Sequence, residues 1–65
     1  MNLFFNGERM EVRATTLEEL LHERGLGEAR VAAAVNEVFV AASERSTRKL
    51  EEGDRVEIVA PMQGG

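Results

Sequence analysis

The stretch Glu52-Gly53-Asp54-Arg55-Val56-Glu57-Ile58-Val59-Ala60-Pro61 decides how this chain folds. Gly53 and Asp54 make a turn, after which Val56 and Ile58 alternate with Glu57 and Val59 at the two-residue period of a half-buried strand. Pro61 ends that strand, because it lacks the amide hydrogen that another ladder bond requires. A slip of one residue would exchange Val56 and Ile58 for charged neighbours, so their alternation holds the sheet to one register. Beyond the strand lie the spacer Pro61-Met62-Gln63 and the pair Gly64-Gly65.

The partners of this strand are legible upstream. Asn2 to Asn6 alternates about Leu3 and Phe5, Asn6-Gly7 suits a two-residue hairpin loop, and Arg9 to Ala14 resumes alternation through Met10 and Val12. Thr16 followed by Glu19 is a capping-box pattern. Leu17, Leu20 and Leu21 then form an apolar helical stripe that Gly25 stops. Between Arg30 and Val35, Ala32, Ala33 and Ala34 favour a helix while Val31, Val35, Val38 and Val40 favour extended chain; strands are expected, with Asn36-Glu37 as their turn. Ala41 to Leu50 reads as irregular chain or one helical turn anchored by Leu50. The order β-β-α-β-β-turn-β has too few helices for a doubly wound sheet and too much helix for a barrel, leaving a small α+β roll. Its expected core is Leu3, Phe5, Met10, Val12, Leu17, Leu20, Leu21, Leu26, Val35, Leu50, Val56 and Ile58.

Composition bounds the function. Sixty-five residues hide only about 60% of the surface of the unfolded chain, which suits a docking or carrier module better than a deep catalytic cleft. One domain, 1–65, is expected, with 61–65 as a protruding tail. There is no cysteine, hence no disulfide and no thiolate chemistry, and the single histidine, His22, cannot build a zinc cluster by itself. Twelve acidic against eight basic residues give a net charge of -4, which disfavours a nucleic-acid partner and suits a basic protein surface or simple solubility. No apolar stretch approaches the roughly 20 residues of a membrane span, and no basic region with an apolar signal segment opens the chain. A soluble cytoplasmic protein without a membrane partner is expected.

The chemistry concentrates at the two glycines. An α-carboxyl has an ordinary pKa of about 3.3 to 3.7, so a terminal Gly65 is ionised at neutral pH and is an oxygen nucleophile toward an activated phosphate. Gly64 and Gly65 lack a Cβ, so such a tail fits a narrow channel and takes dihedrals closed to other residues. The competing reading is a frayed terminus of ordinary small residues. Phe4 and Val59 face away from Phe5 and Ile58 and, with Met62, form a candidate apolar dock beside the tail; cover by the 41–50 segment or scattered surface hydrophobes is the alternative. Arg55 and Glu57 at the same edge are orienting charges or solvated strand residues. His22, beside Glu18 and Glu23, is a solvated or locally paired histidine rather than a base. Ser43 and Ser46 lack a His-Asp arrangement. Glu18-Glu19 and Glu51-Glu52 read as helix-start and turn charges, not metal ligands. Gly7, Gly25, Gly27 and Gly53 do not make a phosphate loop.

Taken in order, the Asn2-Leu3-Phe4-Phe5-Asn6 strand, Thr16-Leu17-Glu18-Glu19-Leu20-Leu21, the Ala34-Val35-Asn36-Glu37 turn with Val38 and Val40, the run from Gly53 to Val59 and Gly64-Gly65 resemble the ThiS family. These are the sulfur carrier proteins of thiamine biosynthesis, ubiquitin-like β-grasp proteins, and the resemblance covers Met1 to Gly65. It implies a mixed sheet of four to five strands packed on one main helix, with the first and last strands parallel at its centre and a flexible C-terminal tail. It implies a carrier, not an enzyme, with no stably bound cofactor or metal. A ThiF-like adenylyltransferase would adenylate Gly65 with Mg-ATP while Gly64 threads with it. A sulfur relay from a cysteine desulfurase or related donor would then make a thiocarboxylate, which a ThiG-like thiazole synthase consumes. Apolar docking near the C-terminal strand singles out Phe4, Val59 and Met62. Two rivals stay open: a related carrier for molybdopterin synthesis or tRNA thiolation, and a ubiquitin-like protein modifier whose Gly65 forms an isopeptide bond. Chain length and Val35-Asn36-Glu37 favour the thiazole branch.

Overall fold

The computed structural model describes residues 1–60. The expected tail, 61–65, and with it Pro61, Met62, Gly64 and Gly65, lies outside the described residues. The elements are β1 (Asn2–Phe5), β2 (Glu8–Glu11), α1 (Leu17–Glu23), β3 (Ala32–Val35), β4 (Val38–Val40), a 3-10 turn (Ala42–Glu44) and β5 (Arg55–Val59). The five strands form one sheet in the order β2-β1-β5-β3-β4. β1 and β5 run parallel, and the other neighbours are antiparallel. The β-β-α-β-β-turn-β order and the parallel pairing of first and last strands are as expected, with β5 in the middle.

Both hairpins follow from their turn residues. Asn6 and Gly7 take φ of 51° and 84°, and Asn36 and Glu37 take 52° and 72°. Two consecutive left-handed residues make the tight turn whose twist matches paired strands, and asparagine tolerates that region better than most residues. Two strands are shorter than their alternation suggests. β2 ends at Glu11 because the amides of Arg13 and Ala14 turn aside to the Glu23 carboxylate, at 3.3 and 3.0 Å. β3 begins at Ala32, not Arg30, since a turn closed by the Ala29 amide on the Leu26 carbonyl occupies the chain just before.

The helix obeys its punctuation. Thr16 caps it, its hydroxyl accepting the Glu19 amide at 3.2 Å. At the other end Gly25, at φ 79°, lets its own amide reach the His22 carbonyl and the Leu26 amide reach Leu21, a Schellman stop. Leu17, Leu20 and Leu21 turn inward and are buried, and Leu17 and Leu20 join Leu3, Val12, Val35, Leu50 and Val56 in one core cluster. Three expected core residues on the strands, Phe5, Met10 and Ile58, are only half-buried, because one short helix cannot cover the whole sheet; the fourth, Leu26, is half-buried in the loop after the helix. Phe5 instead lies under the Arg24 guanidinium, 5.6 Å from its ring centre. Ala14, Ala33 and Val40 fill the core in their stead.

Glu19 turns outward and back, accepting both the amide and the hydroxyl of Thr15 at 2.8 Å. The Thr15 amide, then its hydroxyl, hold the Glu19 carboxyl below the ordinary glutamate value. A lowered folded pKa gives stabilisation that is complete above the unfolded value, about 4.3, and is lost as pH falls through the folded one. Glu19→Gln is therefore expected to lower the thermal midpoint at pH 7, with the gap to the parent closing as pH falls below about 4. Thermal unfolding followed across pH 3–7 checks this; a gap that persists unchanged at the acid end contradicts it.

Candidate functional site

The helix covers one face of the sheet and leaves the other open. On that open face β5 presents Arg55, Glu57 and Val59, all exposed, between Phe4 on β1 and the outward residues of β3 and β4. Register fixes the rows: Phe4 stands beside Arg55, Glu57 beside Ala34 and then Phe39, and Val59 beside Ala32. Phe4 is 39% exposed, Val59 63% and Phe39 66%. Phe4 and Val59 thus share a face as expected, but four strand positions, about 13 Å, separate their levels, and Glu57 stands between. They do not form one contiguous patch.

The apolar continuity runs sideways instead. Val59 adjoins Ala32, and Ala32 and Phe39 line one shallow hollow with Val31 and Ala42. Phe39 is the member of this strip that the sequence reading missed. The signal was present: Val38, Phe39 and Val40 alternate, so an inward Val40 forces Phe39 outward. Phe4 belongs to a separate hollow of about 310 Å³, with Gly7, Glu37, Arg55 and Glu57 at its walls. That hollow is amphipathic, with an aromatic wall and charges of both signs.

β5 is held by side chains as well as by its ladders. Asp54, 8% exposed just before the strand, accepts the Glu51 amide at 2.8 Å and the Asn36 side-chain amide at 2.9 Å. Asn36 also accepts the Arg55 amide through Oδ1 at 2.9 Å. At the other end Asn6 Oδ1 accepts the Ile58 amide at 2.8 Å. The start of β5 and its penultimate stretch are both pinned before the chain passes to Pro61.

The remaining singled-out residues stay apart from this face. His22 lies on the helix side of the sheet, exposed, with Nε2 4.0 Å from the Glu18 carboxylate. It packs over Gly27 so closely that a Cβ there would collide with the imidazole. Among the described residues no group of three or more His, Asp or Glu is placed to hold a metal ion, and no helix is long and apolar enough to cross a membrane.

The ThiS family model matches residues 3–65. The chain belongs to the ThiS family. It is 41% identical over 63 residues to the sulfur carrier protein ThiS of Thermus thermophilus, covering 97% of this chain and 98% of that protein. A crystal structure of the thiamine biosynthesis protein ThiS from Geobacter metallireducens is similar over 100% of both chains, with a TM-score of 0.86 at 28% identity. The solution structure of a thiamine biosynthesis protein from the same organism has a TM-score of 0.79 at 28% identity, covering 100% of this chain and 88% of that one. The fold is accordingly the ubiquitin-like β-grasp of ThiS, five strands of mixed sense on one helix.

In this ThiS chain the structure brings Val59 onto the open face at the end of the central strand, while Gly64, Gly65 and Met62 lie outside the described residues. Because Phe39 and Val59 are about two-thirds exposed, placing a charge at either should leave the free fold within about 0.5 kcal/mol of the parent. Urea unfolding of Phe39→Glu and Val59→Glu checks this. A loss beyond about 2 kcal/mol would make the face part of the core.

Proposed function

We propose that this protein carries sulfur as a thiocarboxylate on Gly65, made by adenylation of the Gly65 carboxylate and displacement of AMP, and donates it to formation of the thiamine thiazole ring. As a ThiS protein it is a sulfur carrier of thiamine biosynthesis and not itself a catalyst. The observation that carries the finer reading is that the family match extends through residue 65, so it includes Gly64-Gly65. Support comes from the fold: the segment that carries that pair follows directly on the central strand of the sheet, whose penultimate residue is bonded to Asn6.

The chemistry has two displacements. The Gly65 carboxylate oxygen attacks the α-phosphorus of Mg-ATP, and pyrophosphate leaves. The acyl-adenylate formed is a good acyl donor, so a sulfur nucleophile relayed from cysteine attacks its carbonyl carbon and AMP leaves. This chain supplies the carboxylate and two residues without a Cβ, which let the tail enter a narrow site. A ThiF-like adenylyltransferase supplies the nucleotide, the metal and the charge neutralisation. The thiocarboxylate sulfur then passes to a ThiG-like thiazole synthase. Tethering sulfur to a docked protein raises its effective concentration without free sulfide.

Docking falls to the open face. Val59 and Phe39, with Ala32 between, offer an apolar strip at the end of β5, Phe4 offers a second anchor, and Met62, outside the described residues, is the third candidate. Exposed aromatic and aliphatic side chains in such a patch anchor partner surfaces.

ATP-pyrophosphate exchange with the cognate adenylyltransferase tests both halves. Removal of Gly65 should abolish exchange, and unchanged exchange would sink the assignment. Val59→Glu and Phe39→Glu should raise KM by about tenfold or more, the loss of about 1.4 kcal/mol or more of binding, with the fold intact. An unaltered KM in both would reject that strip as the dock.

A further inference from the structure

Asn6 and Asn36 do the same unusual thing at the two ends of β5. In the parallel ladder the Asn6 amide donates to the Val56 carbonyl at 2.8 Å, and the next rung would be the Ile58 amide donating to the Asn6 main-chain carbonyl. Asn6 has already turned left-handed, at φ 51°, into the hairpin. Its side-chain Oδ1 takes the Ile58 amide instead, at 2.8 Å. Asn36 repeats the substitution against the antiparallel side: its amide donates to the Arg55 carbonyl at 2.7 Å, and its Oδ1 accepts the Arg55 amide at 2.9 Å. Each asparagine replaces its own backbone carbonyl with its side chain, so the neighbouring strand turns away without orphaning a donor of β5.

The two rungs differ in where they act. Asn36 holds the first residue of β5. Asn6 holds Ile58, and among the described residues it is the last group on the β1 side to bond the β5 backbone. Past it, Val59 is paired only with Ala32 of β3. Without the Asn6 side chain the last β5 residue bonded toward β1 would be Val56, so two more residues of the strand end would be held from the β3 side alone and be freer to change direction.

From this we infer that Asn6 is a positioning residue for the reaction at Gly65: its side-chain carbonyl fixes the direction in which the chain leaves β5. The inference rests on the reading of Gly65 as the activated terminus. Docking through Val59 and Phe39 brings the carrier to its partner, and the Asn6 rung holds the end of β5 from which the chain continues. An aiming error of about 1 Å at a reacting group costs rate far more than affinity.

The test compares Asn6→Gly, Asn6→Asp and Asn36→Gly in the full chain. Glycine keeps the left-handed turn and deletes Oδ1; aspartate keeps an acceptor oxygen. In ATP-pyrophosphate exchange with the cognate adenylyltransferase, Asn6→Gly should lower kcat by about tenfold or more with KM within about twofold. Asn6→Asp should recover most of that loss. Asn36→Gly removes the equivalent rung at the far end, so it should depress the thermal midpoint at least as much yet leave kcat near the parent value. Parent-like kcat in Asn6→Gly, or an equal kcat loss in Asn36→Gly, overturns the inference. Amide hydrogen exchange of the unsubstituted protein gives a readout that needs neither a variant nor the enzyme: the Ile58 amide should exchange slowly, and rapid exchange there removes the rung. Absence of Gly65-dependent exchange activity in the parent would overturn the activation reading, and with it the role of the rung, while a protected Ile58 amide would still report the bond itself.

Discussion

Val56 is the residue at which β5 is paired on both sides at once, with Phe5 of β1 running parallel and Val35 of β3 running antiparallel. Its side chain is fully buried against the helix leucines. The parallel contact joins the two ends of the described sequence and cannot be made by a short hairpin, so the helix and the β3-β4 hairpin must lie between. Each remaining feature depends on this placement. The open face is open because one helix of seven residues is spent on covering the Val56 side, and the chain beyond Val59 leaves from the middle of the sheet rather than from an edge.

That geometry divides labour within a very small protein. The covered face supplies stability, and in the proposed function the uncovered face supplies recognition while the residues after β5 carry the chemistry. A domain of this size lacks the surface to enclose a substrate, but it can present a strand end from a rigid base. Its side-chain rungs from Asn6 and Asn36 make that base stiffer than five short strands alone would be.

Local rules were enough for most of the architecture. Asn6-Gly7, Thr16 with Glu19, Gly25 and Gly53 each act on neighbours a few residues away, so their meaning survives without the fold. The inward set also held where period 2 met large side chains, as at Leu3, Val35 and Val56. It failed in the alanine run, where Ala32, Ala33 and Ala34 are too similar to declare a phase, and only pairing with Val40 and Ile58 marks Ala33 as buried. Phe5 and Ile58 were assigned to the correct face, yet a helix of finite length leaves them half-covered. The roles of Asn6, Asn36 and Asp54 were out of reach for a different reason: their partners lie between 18 and 52 residues away in the chain, apart from the Glu51 amide on Asp54. The open face divided likewise. Phe4 and Val59 were legible as outward, but that Glu57 separates them and that Phe39 continues the strip is a matter of strand order.

The central claim is that sulfur rides on Gly65, and intact mass spectrometry of the protein isolated from its own cells tests it most directly. A thiocarboxylate in place of the carboxylate adds about 16 Da, and fragmentation should place that gain on Gly65. Finding Gly65 joined instead through an isopeptide bond to lysines of other proteins, with no sulfur-bearing form, would contradict the account and make the chain a protein modifier.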